Sequence, residues 1–134
     1  MTAHGRRGGR GVLVTALALA GPAHASAQGT LDGEWTATFA TAGSDARAAA
    51  VVLRDGAGTW TTRAHPNRDK HDACVGRALP LTLVPGPSET VALHVHAGQA
   101  VAGCRDRRAR LTIVDQRTLE GEFDDGRVLR LTRR

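Results

Sequence analysis

The sequence contains no tyrosine, two phenylalanines and two tryptophans, so aromatics make up 3% of it. Platforms that stack single-stranded nucleic acid or sugars need several exposed aromatic faces. Trp35, Phe39, Trp60 and Phe123 are too few, and at least three of them fall on inward-facing positions of alternating segments. Lysine is scarcer still: Lys70 stands alone among arginines. No apolar run approaches the roughly 20 residues of a spanning helix, and no long helical stripe is present. Beyond the first 27 residues only Ser44 and Ser88 remain as serines, both in turn-like contexts and neither in a G-x-S-x-G elbow. The glycines are scattered among turns and form no phosphate-cradling loop. With no catalytic constellation, the expectation is a protein that is not an enzyme and needs no cofactor.

What is present starts with a leader. Arg6, Arg7 and Arg10 form a basic region, Val12–Ala20 is an apolar run, and Gly21-Pro22 breaks it. Small residues follow at Ala23, Ala25 and Ala27. This is the layout of a secretory signal peptide, which is cut after small side chains at −3 and −1. The expected cut lies between Ala27 and Gln28, with Ala25/Ser26 as second choice. Residues 1–27 are then a signal peptide and 28–134 a single exported domain, in the periplasm or outside the cell, with no membrane anchor. The whole chain carries 18 Lys+Arg against 13 Asp+Glu. Three of those arginines leave with the leader, so the mature excess falls to +2. A nucleic-acid footprint needs a clustered basic stripe. Arg105, Arg107, Arg108 and Arg110 are interrupted by Asp106, and no nucleic-acid partner is expected.

The two cysteines, Cys74 and Cys104, are 30 positions apart. An even count in an exported chain argues for one disulfide. A closed loop of that length is worth about 3–4 kcal/mol on chain-entropy grounds.

Period-two alternation runs through the rest. Glu34–Ala40 places Trp35, Ala37 and Phe39 on one face. Leu79, Leu81 and Leu83 alternate, as do Val91, Leu93 and Val95, then Leu111 and Ile113, and finally Leu129 and Leu131. This is the signature of half-buried antiparallel strands. Asp55-Gly56 and Asp125-Gly126 are hairpin turns, and Pro85-Gly86-Pro87 must end a strand. In the last hairpin Glu120, Glu122, Arg127 and Arg130 are expected to face outward. Ser44–Arg54 reads either as a helix capped by Ser44 or as a strand, and Val51-Val52 favours the strand.

Three groups could carry chemistry. His94 and His96 share one face of a strand, and an H-x-H pair can hold zinc or copper with a third ligand. His65, Asp69, His71 or Asp72 in the polar loop Ala64–Cys74 could supply it. The plainer reading is two histidines on a solvent face. Glu120 and Glu122 could act as paired carboxylates, although cross-strand pairing with arginines explains them equally well. The loop Ala64–Cys74, pinned by the expected disulfide, is the natural surface for a protein partner.

The segment Leu31-Asp32-Gly33-Glu34-Trp35 resembles the G-x-W motif that opens the first strand of lipocalin-like (calycin) barrels. In that family the tryptophan packs near the closed end of the barrel, and an arginine from a late strand lies over it. The resemblance implies those roles for Gly33, Trp35 and one of Arg130 or Arg133. It also implies a cup for a small, mostly apolar ligand. The many alanines of the strands would leave such a lumen partly unfilled.

The expected protein is therefore a monomeric all-β domain: a small antiparallel β-barrel of about eight strands, or a closed sandwich, with one disulfide. Its expected function is non-enzymatic binding of a small apolar ligand in the barrel or of a protein partner. The alternatives are an exported inhibitor of a lysozyme or protease, and a metal-binding protein using His94 and His96.

Overall fold

The computed structural model describes residues 31–41 and 43–134, with isolated positions 2, 5, 9 and 11. The expected cut between Ala27 and Gln28 lies outside the described residues.

Eight strands follow in chain order: β1 (Gly33–Ala40), β2 (Arg47–Arg54), β3 (Ala57–Thr62), β4 (Leu79–Pro85), β5 (Thr90–Val95), β6 (Arg107–Asp115), β7 (Thr118–Phe123) and β8 (Val128–Arg133). A short helix, α1 (Ala97–Ala100), sits between β5 and β6. Each strand pairs antiparallel with its sequence neighbours, and β8 returns to β1, from Trp35 opposite Arg133 to Ala40 opposite Val128. The sheet is thus a closed barrel, not a sandwich, and closure leaves no free strand edge. The stretch 44–54 is no helix. Ser44 closes a turn by bonding the Thr41 carbonyl through both its N–H and its hydroxyl, and β2 then pairs with β1 on one side and β3 on the other.

Alternation decides which side chains fill the barrel. Trp35, Ala37 and Phe39 of β1 are buried while Glu34 and Thr38 are exposed, and Leu129 and Leu131 of β8 repeat the pattern. Inward apolar side chains from all eight strands, mostly leucines and valines with the aromatics of β1, β3 and β7, join one buried cluster. Each such leucine contributes about 2 kcal/mol by leaving water. Bending a sheet this tightly brings backbones close. At Gly121 on β7 a Cβ would come within 1.9 Å of the Arg110 carbonyl oxygen on β6, so only glycine fits there.

The two ends differ in their connections. At one end the turns are short: 55–56, 86–89 and 116–117. Asp55 and Gly56 both have positive φ, as a tight two-residue hairpin requires. At the other end the chain runs through 41–46, 63–78, 96–106 and 124–127. The disulfide Cys74–Cys104 ties the second and third of these connections together.

Trp35 plugs the short-turn end. It is fully buried and donates its indole N–H to the Leu31 carbonyl at 2.9 Å. The Arg133 guanidinium lies 4.4 Å over its ring and donates to the carbonyls of Asp32 and, at 3.0 Å, Gln116. Gly33 has φ +133 and stands 3.0 Å (from its would-be Cβ) beside the same guanidinium. Of the two arginines expected over Trp35, Arg133 occupies the position. Arg130 does not: its side chain alternates outward on β8 and meets Glu120 at 3.5 Å.

Candidate binding site at the open end

The remaining three aromatics meet at the long-loop end. Phe39, Trp60 and Phe123 come from β1, β3 and β7, and their ring centroids lie 5.6–5.9 Å apart in tilted and edge-to-face contacts. All three are buried, so with Trp35 all four aromatics of the chain face inward. Such arrangements are favoured because ring edges are positive and ring faces negative.

Arg127 lies over two rings of this triad. Its guanidinium carbon is 5.3 Å from the Phe39 centroid and 5.4 Å from that of Phe123. Nε donates to Asp125 Oδ2 at 2.9 Å, while Nη2 is buried and has no hydrogen-bond partner among the described residues. This corrects the expectation that Arg127 faces outward beside Glu122. It belongs to the 124–127 turn, just before β8 begins, so strand alternation does not govern it. Only 20% of its side chain is exposed. The Phe faces attract its charge, which holds it over the mouth.

Around Arg127 lies a depression of about 280 Å³. Phe39, Trp60, Leu79, Val95 and the disulfide form its apolar wall, and Arg47, Arg105 and Arg107 its rim. The cup implied by the lipocalin resemblance is therefore a shallow mouth, and the inward side chains below it are packed together. The rim is held by ion pairs. Asp125 serves both Arg127 and Arg107, the latter at 3.4 Å. Asp69 receives Arg47 at 2.6 Å and the His65 backbone N–H at 2.6 Å. That N–H bond, followed by the charge of Arg47, holds the Asp69 carboxyl below the usual carboxylate range. The loop 63–78 is thus fixed at its base by Asp69 and near its end by the disulfide.

The histidines divide differently from the expectation. His94 and His96 stack at 3.8 Å on the outer wall. The group that joins them is Asp106, at 3.0 Å from His94 Nε2. The loop does not supply the third member: Asp69 is engaged by Arg47, Asp72 accepts the Cys74 N–H, and His65 contributes backbone to Asp69. His71 is exposed and is not part of the cluster. Glu120 and Glu122 stand on the outer face opposite Arg130 and Arg110, an arrangement of cross-strand charge pairs. Arg127 and Asp106 were the residues that sequence reasoning missed. A faint signal for each existed. Arg127 follows the turn glycine of the hairpin bearing Phe123, and Asp106 lies two residues past a disulfide cysteine.

No family model matches the sequence, and no curated protein matches it. Among solved structures the chain is similar to a redesigned β-barrel, with TM-score 0.51 and 14% identity over 78% of this chain and 92% of that one. The likeness shows the fold. It accords with a lipocalin-like barrel at the level of a closed antiparallel sheet and extends to nothing finer.

Proposed function

We propose that this domain is an exported, non-enzymatic binding protein whose open end takes a small molecule with an apolar body and one anionic group. The observation that carries this is Nη2 of Arg127, buried without a partner among the described residues, on a guanidinium that lies over the Phe39 and Phe123 rings. A buried donor without an acceptor costs about 1–3 kcal/mol, and a ligand carboxylate or phosphate would supply the missing acceptor in charge-assisted form. Phe39, Trp60 and the disulfide offer the apolar contact. A volume of about 280 Å³ is at the small end of ligand pockets, which restricts the body to a ring or two or a short chain. The leader and the disulfide support export.

The test pairs two isosteric probes, 1-naphthoate and 1-naphthamide, titrated against tryptophan fluorescence. The carboxylate is expected to bind and to weaken about tenfold or more in Arg127→Gln, with the amide indifferent to the substitution. Equal binding of both probes, or binding of neither, would sink the reading.

The loop 63–78 supports a second reading, an exported inhibitor of a lysozyme or protease. Asp69 and the disulfide pre-organise this loop, and a rigid loop loses less entropy on docking. Inhibition that disappears in Lys70→Ala and His71→Ala but survives Arg127→Gln would favour it over the small-ligand reading.

A further inference from the structure

The outer wall near the open end carries a second cluster that the mouth does not use. His94 is on β5, His96 follows that strand, and Asp106 immediately precedes β6. One donor atom from each lies within 4.8 Å of the other two. Three features make this a built cluster. First, Asp106 is oriented from both sides: Oδ1 accepts the Gly98 backbone N–H of α1 at 2.9 Å and Oδ2 faces His94. Second, His96 is anchored by its backbone N–H to the Pro80 carbonyl at 2.8 Å, and its Nε2 meets the Thr82 hydroxyl at 2.9 Å. Its Nδ1 is buried with no partner among the described residues. Third, the disulfide at Cys104 restrains the segment that delivers Asp106.

We propose that His94, His96 and Asp106 form a binding site for a divalent first-row transition metal such as zinc. Two imidazole nitrogens and one carboxylate oxygen are a ligand set that suits zinc, copper or nickel rather than calcium or magnesium. Histidine ligands characteristically give their second ring nitrogen to an oxygen partner, which is the relation of His96 Nε2 to Thr82. Closing the three donors onto a metal needs small side-chain rotations, since bonds to zinc are about 2.0–2.2 Å. Three protein ligands leave at least one coordination position for water or a ligand. Access exists: His94 borders a broad outer-wall depression together with Thr82 and Arg108. Arg108, opposite His94 in register, opposes the cation electrostatically, and the carboxyl group of Asp106 is the anionic ligand that offsets it. None of the three ligands lines the mouth, so this site stands or falls independently of the ligand reading.

The experiment is calorimetric titration of the tag-free, oxidised full-length protein with zinc chloride, beside three variants. The expected result is one zinc per chain, weakened at least about tenfold in each of His94→Ala, His96→Ala and Asp106→Asn. A His65→Ala/His71→Ala double variant should bind as the parent does. Because a variant may misfold, nitrogen NMR of the histidine rings in the unaltered protein gives an independent readout. Zinc should move the ring nitrogens of His94 and His96 and leave those of His65 and His71 in place. Absence of stoichiometric uptake, uptake unchanged by all three substitutions, or shifts confined to His65 and His71 would overturn the assignment.

Discussion

Each end of the barrel has an arginine lying over aromatic rings, yet the two arginines are satisfied differently. At the short-turn end Arg133 sits over Trp35 with its donors directed to the carbonyls of Asp32 and Gln116. That contact joins the start of β1, the β6–β7 turn and the last strand. At the long-loop end Arg127 sits over Phe39 and Phe123, holds Asp125 through Nε, and keeps Nη2 buried with no partner among the described residues. The residue types are the same. Donors given to two backbone carbonyls make the first contact a structural clasp. An unsaturated donor makes the second a place where an anion gains more than it would in water. Loop length accompanies the difference, because short turns bring carbonyls close over the barrel end and long loops leave the mouth open.

The strongest way to break the closed end is Trp35→Ala. It empties the plug of a fully buried indole and is expected to cost about 3–5 kcal/mol in urea unfolding. The corresponding strike at the open end is the Cys74→Ser/Cys104→Ser pair. It frees the loops 63–78 and 96–106 from each other and should cost about 3–4 kcal/mol, read in the same experiment. The comparison sharpens with Arg133→Met and Arg127→Met. The first strands the Asp32 and Gln116 carbonyls and should destabilise by about 1–3 kcal/mol. The second gives up only the half-exposed Asp125 ion pair and keeps an apolar side chain over the rings, so stability should hold within about 1 kcal/mol while the 1-naphthoate probe loses its binding. Equal destabilisation by the two would erase the distinction drawn between the ends.

The smallest effect concerns acid. The Asp69 carboxyl titrates below its ordinary value because the His65 N–H and Arg47 favour its charged form. A depressed folded value contributes stability above the unfolded value, which is lost as pH falls through the folded one. Between neutral pH and about pH 4 the contribution should be intact, and it should fade below that. Asp69→Asn should therefore be less stable than the parent at neutral pH, with the gap narrowing toward pH 3 in a urea-denaturation series. A gap that stays constant with pH would show that the carboxylate charge does not hold the open-end loop.

Most of the strand layout was legible because alternation is a local property. Trp35, Ala37 and Phe39 had to share a face whatever the rest of the chain did. The stretch 44–54 was ambiguous for an equally local reason: alanines suit both helix and strand, and only pairing with β1 and β3 decides between them. Arg130 and Arg133 are both on β8, but they differ by an odd number of positions, so only one can share a face with Trp35. The register of β8 on β1 places Arg133 there. Arg127 was misread because it belongs to a turn, where period-two logic ends. Asp106 was passed over because nothing along the chain relates it to His94, twelve positions away, until β5 and β6 pair.

By itself, then, the sequence determined where most strands and turns lie, which faces are apolar, and that its two cysteines are the pair available for one disulfide. Those properties follow from backbone periodicity, glycine φ preferences and composition, all read within a few residues. The tertiary structure decided that the sheet closes, which arginine caps which end, that the open space is a mouth rather than a deep cup, and that Asp106 joins the histidines. These depend on contacts between distant segments, such as Arg133 with Asp32 across 101 positions. No local pattern encodes a ring closure, because it exists only once the last strand has found the first.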